Sequence, residues 1–96
     1  MSVFAVEYVY GPDTSDLRDE HRPAHREWLT DLVGEGRVLA SGAFTDGAGA
    51  LLIFTADSEQ SLNDLLSQDP FALVGAIAAV KATEWKPGIG LLSQYA

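Results

Sequence analysis

Four short stretches of the chain combine β-branched, aromatic and small apolar residues, a pattern that predicts β-strands. The first stretch stops at Gly11-Pro12, and the fourth is followed by Pro87-Gly88. Residues 45–49 (TDGAG) are turn-forming and separate the second stretch from the third, so these two strands are expected to form a hairpin. The predicted strands are residues 3–10, 38–44, 50–56 and 77–85.

Apolar residues at intervals of three and four predict a long helix between the first two strands. We place its start near Arg22, because Pro23 is best tolerated in the first turn of a helix, and we leave residues 13–21 as a loop or a frayed turn. Gly36 occupies the position of a left-handed C-terminal cap. The apolar stripe consists of Trp28, Leu29, Leu32 and Val33.

A second helix is predicted after the third strand. Asp57 or Ser58 supplies its N-cap, and leucines at positions 62, 65 and 66 repeat at helical spacing. The helix ends at Asp69-Pro70, because the residue before a proline is pushed out of the helical region. Residues 71–75 are expected to form a short extra turn.

The predicted order is βαββαβ, the ferredoxin-like arrangement of the α+β class. The handedness of its crossovers predicts a four-stranded antiparallel sheet with both helices on one face. The length of 96 residues allows one domain, spanning residues 1–96.

The third strand is apolar on both faces, since it contains the run Leu51-Leu52-Ile53-Phe54. A sheet covered on one face only should carry polar residues on the other. An uncovered apolar face marks an association surface, so we predict a homodimer in which two sheets pack face to face, with higher assembly left open. The alternative is that residues 89–96 cover this face within one chain. Otherwise this tail is expected to be an edge strand or an interface arm.

Composition narrows the choice of partners. Six Lys and Arg against fourteen Asp and Glu give a net charge of −8, which repels phosphate groups and argues against nucleic acid or anionic membrane. The lack of cysteine excludes a disulfide scaffold and a thiol nucleophile. No apolar run approaches the ~20 residues of a spanning helix and no signal peptide is evident, so a cytoplasmic protein is expected.

The two histidines, His21 and His25, have no metal-binding spacing such as HExxH, and no nucleotide-binding glycine run occurs, so no cofactor is expected. His25 lies on the apolar stripe, four residues before Leu29, and in the first turn of the predicted helix. There it is either a general base, which requires a neutral imidazole, or a structural histidine bonded to a backbone carbonyl. His21 is expected to be solvated.

Asp69 also has two interpretations. Before Pro70 it is suited to cap the following turn. Alternatively, its carboxylate accepts a hydrogen bond from an imidazole, fixes the tautomer and stabilises the charged ring. Spacing alone does not place Asp69 near His25. Arg22 and Arg26 either bind an anionic substrate or neutralise nearby carboxylates, and for Arg26 a solvated position is favoured.

Three motifs follow one another along the chain: RxxH (Arg22 to His25), G-x-[LV]-x-x-[SA]-G (residues 36–42) and DP[FY] (residues 69–71). In this order they resemble the motifs of the YciI-like (YCII-related) proteins. Gly75 and residues 85–87 also fit, so the resemblance covers nearly the whole chain. One departure is Ala43 after Gly42, where many relatives have proline, so the loop that lines the pocket is expected to differ.

The resemblance implies a dimeric α/β barrel made of two ferredoxin-like protomers. It also implies a pocket between helix and sheet that holds a His–Asp pair, which maps onto His25 and Asp69. The fold is similar to that of muconolactone isomerase, and the implied chemistry is cofactor-free proton transfer or elimination on small hydroxylated or cyclic acids. The residues implied to line the pocket are Arg22, Ser41, Gly42, Pro70 and Phe71.

Two functions are consistent with these residues. In the first, the protein is an isomerase- or lyase-type enzyme: His25 removes a proton next to a carbonyl or phenol, Asp69 orients His25, and Ser41 or an N–H near Gly42 binds the oxyanion. In the second, the protein is a non-catalytic small-ligand-binding or accessory dimeric module. A small-molecule ligand is the expected partner beside the second copy of the chain.

Overall fold

A four-stranded antiparallel sheet with strand order β2-β3-β1-β4 forms the framework of the protein, in a computed structural model that describes residues 1–96. This order confirms the predicted ferredoxin-like α+β fold. The elements are β1 (Ser2–Tyr10), α1 (Ser15–Gly34), β2 (Val38–Ala43), β3 (Gly49–Ala56), α2 (Glu59–Leu66), α3 (Pro70–Leu73), β4 (Ile77–Trp85) and a 3-10 turn (Ser93–Tyr95).

The core lies between the helices and one face of the sheet. Phe4, Val6 and Tyr8 of β1 point to this face, because alternate residues of a strand share a face. They pack with β3 side chains and with leucines of α1 and α2 in one cluster of eleven buried residues. The cluster contains Phe4, Val6, Tyr8, Leu32, Val38, Ala50, Leu52, Phe54, Ala56, Leu62 and Leu66.

The first helix begins at Ser15, so the predicted start near Arg22 is wrong. The segment before Pro23 is helical because tertiary contacts hold it: Arg18 lies over the ring of Tyr10, with Cζ 4.0 Å from the ring centroid. The Nε–H of Arg18 also donates to Thr14 Oγ1 at 3.2 Å. Pro23 is therefore inside the helix, where it removes one backbone donor.

Both predicted helix caps are present. Gly36 has a φ of 76°, and the amide of Arg37 donates to the carbonyl of Leu32 at 2.9 Å, which is the Schellman arrangement. The hydroxyl of Ser58 accepts from the amide of Ser61 at 3.1 Å and caps α2. Gly36 thus sets where α1 ends before β2, and Ser58 sets where α2 begins after β3.

The other face of the sheet has no helix over it and is partly apolar. Val3 and Ile53 are buried on this face within one chain, whereas Val9, Leu51 and Trp85 are exposed. The tail does not form the edge strand that was one expectation, since residues 86–92 contain no strand. Ile89 and Leu91 in it are almost fully exposed, so these side chains do not cover the face. No helix is long and apolar enough to cross a membrane.

Candidate active site

A histidine–aspartate pair joins α1 to the start of α3. The Nδ1 atom of His25 lies 2.7 Å from Oδ1 of Asp69, although the two residues are 44 positions apart. The side chain of Asp69 is fully buried and that of His25 is 12% exposed. The fold thus brings together two residues that spacing alone did not connect and that the family resemblance paired.

The Asp69 carboxylate accepts two further hydrogen bonds. The backbone amide of Phe71 donates to Oδ1 at 2.9 Å, and the hydroxyl of Tyr8 donates to Oδ2 at 2.8 Å. A buried carboxylate is costly unless its lone pairs are used, and here both oxygens have donors. Asp69 is therefore an N-cap of α3 and a partner of His25 at once, and its two interpretations are compatible.

Phe71 fixes the plane of the histidine ring. The two rings stack with centroids 3.9 Å apart and planes 5° apart. Because every buried side-chain nitrogen and oxygen has a partner, and Nε2 of His25 has none, Nε2 is open to solvent. His25 lies in the middle of α1 and not in the first turn that the sequence predicted, so the partial positive charge at the N-terminal end of the helix does not act on its ring. The stacking and the carboxylate hold the ring instead.

Nε2 opens into a cleft of about 570 Å³ between α1 and the β2–β3 hairpin. Among the expected pocket residues, Arg22, Ser41, Gly42 and Phe71 line this cleft. Pro70 does not line the cleft. It is the first residue of α3 and lies between Asp69 and Phe71, which both contact His25. The volume is within the usual range for pockets that hold a small molecule.

Sequence reasoning missed several residues of the site. Arg18 and Tyr10 line the cleft, and so does Arg26, which is exposed as expected. The signal for the arginines is their spacing, since positions 18, 22 and 26 are each four apart on one helix. Tyr8 carried no comparable signal, because an apolar strand with a tyrosine is ordinary. His21 is half-buried in α1 and lies outside the cleft lining.

Two tyrosines at the site have raised pKa values. For Tyr8 burial is the largest cause, followed by the charge of Asp69 and the hydrogen bond to it. Burial also raises the pKa of Tyr10, although Arg18 and Arg22 act in the opposite direction. The hydroxyl of Tyr8 therefore stays a donor to Asp69 over the whole neutral range.

These shifts predict a loss of stability at alkaline pH. The unfolded phenol loses its proton near 10.0, whereas the folded Tyr8 keeps it to higher pH, so the stabilisation is complete below pH 10.0 and declines above it. The expected slope is about 1.4 kcal/mol per pH unit for Tyr8. Urea unfolding of the wild type and Tyr8→Phe across this range measures it. Tyr8→Phe should show the shallower slope, and equal slopes would contradict the assignment.

Fold and cleft together define an α+β protein of ferredoxin-like topology with a His–Asp pair under an open helix–sheet cleft. The family model of the YCII-related domain matches residues 2–86, so the chain belongs to that family, as its motifs predicted. Clusters of three or more His, Cys, Asp or Glu side chains that could hold a metal ion are absent.

Two relatives add detail. The chain is 30% identical over 73 residues to the uncharacterized protein YjpA of Bacillus subtilis (strain 168), covering 76% of this chain and 85% of YjpA. It is also similar to the solved structure of 5-chloro-2-hydroxyhydroquinone dehydrochlorinase (TftG) from Burkholderia phenoliruptrix AC1100, in complex with 2,5-dihydroxybenzoquinone. That similarity has a TM-score of 0.78 at 25% identity and covers 88% of this chain and 93% of TftG.

Proposed function

We propose that the protein is a cofactor-independent enzyme in which His25 transfers a proton to and from a small hydroxylated or cyclic acid. The observation that carries the proposal is the pair itself: Nδ1 of His25 is held by a fully buried carboxylate while Nε2 opens into the cleft. Structural histidines do not need a buried ion, whose burial is expensive. The similarity to a dehydrochlorinase supports isomerase- or lyase-type chemistry.

In the proposed reaction, Nε2 of His25 accepts a proton from a carbon or hydroxyl next to a carbonyl or phenol. The positive charge that develops on the ring is stabilised by Asp69 at 2.7 Å. The electron pair left on the substrate forms an enol or enolate in an isomerisation, and His25 returns the proton at another position. In an elimination the same pair expels a leaving group such as chloride, and His25 later loses its proton to water.

Ser41 is proposed to bind the oxygen on which negative charge develops. It lines the cleft near the end of β2, and β2 is an edge strand of the sheet. One side of an edge strand has backbone groups without a strand partner, so an N–H near Gly42 is the second candidate donor. Both groups lie opposite α1 across the cleft.

A screen with a matched pair of histidine variants tests this function. The panel consists of chlorinated hydroxyhydroquinones, assayed for chloride release, and cyclic hydroxy acids, assayed by NMR for exchange of carbon-bound protons in D₂O. His25→Gln is expected to lose about 10²–10⁴-fold in rate, as for removal of a general base. His21→Gln, on the same helix but outside the cleft lining, should keep the wild-type rate.

The binding-module alternative makes the opposite prediction. If His25→Gln is folded and turns over the same compound at the wild-type rate, His25 is not the base. If compounds of the panel bind in the cleft and none is converted by the wild type, the protein is a small-ligand-binding module. Circular dichroism of both variants controls for folding.

The same proposal includes a homodimer formed through the open face of the sheet. Val9, Leu51 and Trp85 leave apolar area uncovered on this face. The tail adds two further exposed apolar side chains, Ile89 and Leu91, and the proposal keeps the tail as a candidate interface arm. Exposed apolar area of this kind is stabilised when a second copy excludes water from it.

A further inference from the structure

The cleft has a charge opposite to that of the chain. The protein carries six Lys and Arg against fourteen Asp and Glu. Three of those six basic residues, Arg18, Arg22 and Arg26, line the cleft, and no Asp or Glu is among its lining residues. A chain with a net charge of −8 thus concentrates half of its cations at the opening above His25.

The three arginines share one side of α1. Residues four positions apart on an α-helix are rotated by about 40° around its axis and separated by about 6 Å along it. The three guanidinium groups therefore form a row along the cleft. Like charges four apart on a helix repel one another, which is a cost to the empty protein. An anion in the cleft relieves this repulsion.

Two of the three arginines have no carboxylate partner. Arg22 pairs with Asp19, whereas neither Arg18 nor Arg26 has a carboxylate oxygen within 4.0 Å. Arg18 is also held in place: its Nε–H donates to Thr14 Oγ1 at 3.2 Å, and its Cζ lies 4.0 Å from the centroid of the Tyr10 ring. The terminal nitrogens of a guanidinium fixed in this way are suited to a planar anion, because carboxylates match its paired donors.

A chain of contacts connects Arg18 to the proton-transfer site. Tyr10 meets Phe71 edge to face, with centroids 6.2 Å apart, and Phe71 stacks on His25. Leu29 and Val33 add apolar walls to the cleft. The site therefore combines flat apolar surfaces with cations, a combination that suits a ring bearing an acid group.

We propose that Arg18 and Arg26, together with Arg22, bind a carboxylate on the cyclic molecule that His25 acts on. This inference rests on the proposed function, which places the substrate next to His25. It adds that the substrate is a cyclic molecule that carries a carboxylate. A neutral ring leaves the row of cations uncompensated, so the cleft discriminates against it. Aliphatic phosphate esters fit the charge equally well but lack the flat ring that the aromatic side chains favour.

Binding of 2,5-dihydroxybenzoate and of 2,5-dihydroxybenzamide tests the proposal. The two probes share ring and hydroxyls and differ only in charge. Titration calorimetry of the wild type should give at least about tenfold tighter binding of the carboxylate, as for a charge-assisted pair. The preference is expected to shrink in high salt, since the arginines are open to solvent.

Arginine variants show which residues produce the preference for the carboxylate probe. Arg18→Gln and Arg26→Gln should each lower it, and Arg18→Lys should retain part of it because the charge remains. Arg37→Gln is the matched control: Arg37 pairs with Glu35 at 3.5 Å and lies outside the cleft lining. His25→Gln should keep the preference, since it removes the base and not the anion site.

The outcomes separate the two proposals. Equal affinity for the two probes, an unchanged preference in both glutamine variants, or no saturable binding of either probe overturns the anion site. A carboxylate preference without turnover of any compound supports the anion site and contradicts the enzyme. Turnover of neutral rings without a preference for the carboxylate probe contradicts the anion site and supports the enzyme. Thermal melts of each variant show that a lost preference does not come from unfolding.

Discussion

Replacing Asp69 by alanine is expected to destabilise the protein by about 2–6 kcal/mol, because two buried donors each lose an acceptor at about 1–3 kcal/mol. These donors are the Tyr8 hydroxyl and the Phe71 amide, 2.8 and 2.9 Å from the carboxylate. The rate should also fall by about 10²–10⁴-fold, because His25 loses the group that orients it. Urea unfolding measures the first effect, and turnover of the compound found in the screen measures the second.

Replacing Asp69 by asparagine separates the two effects. Oδ1 accepts from both Phe71 and His25, so an asparagine places its carbonyl oxygen there and its NH₂ toward Tyr8, whose hydroxyl can turn to accept. This variant keeps the hydrogen bonds and the ring orientation but has no negative charge. It is expected to be more stable than Asp69→Ala while it still loses most of the rate.

Asp31→Ala is the matched control, since Asp31 lies exposed on α1. It should change neither stability nor rate. A wild-type rate in Asp69→Asn would show that the carboxylate charge has no part in the reaction. Wild-type stability in Asp69→Ala would show that the hydrogen bonds to Tyr8 and Phe71 are not what holds this end of α3.

Substituting Leu51 by aspartate is expected to convert the proposed dimer to a monomer. Leu51 lies on the open face opposite Glu7 of β1 and is 38% exposed in a single chain. An unpaired carboxylate buried in an apolar interface costs at least about 3 kcal/mol, which weakens association by about 100-fold or more. Sedimentation velocity across micromolar concentrations measures the shift from twice the chain mass of 10.3 kDa to that mass.

Leu73→Asp provides the comparison for this experiment. Leu73 is 72% exposed on α3, on the helix side of the sheet, so the same change there should leave the dimer intact. Dissociation in both variants would indicate a general effect of added charge. A wild type that sediments at 10.3 kDa at every concentration would contradict the dimer itself.

The strand order and the main helices were predictable because their signals are local. The β-branched and aromatic residues at 3–10, the apolar run at 50–56, the cap at Ser58 and the left-handed Gly36 are each signals that a few neighbouring residues carry. The start of α1 was not predictable in this way. Pro23 indicated a first turn, but the contact of Arg18 with Tyr10 stabilises the helix before it, and that contact exists only in the folded chain.

The identity of the paired residues was predictable from the sequence, whereas the geometry of the site was not. Family motifs pointed to His25 and Asp69, yet the distance between them depends on how α1 and α3 pack. Tyr8 was invisible as a site residue, because only the pairing of β1 with its neighbours and the packing of α3 bring its hydroxyl to Asp69. Arg26 is exposed, as expected, but its place at the cleft was not predictable, because the β2–β3 hairpin on the far side of the cleft is distant from it in sequence.

Three consecutive residues, Asp69-Pro70-Phe71, supply everything that holds the imidazole of His25: a charge, a rigid start to a turn, and a flat ring. This cradle is local, so it tolerates change elsewhere. The side chains of the β2–β3 hairpin and the arginines of α1 can be replaced without moving His25 relative to the Asp69 carboxylate. In the proposed enzyme, the residues that contact substrate can therefore change while the His25–Asp69 pair is kept, whereas a residue inserted within the tripeptide would disrupt the pair itself.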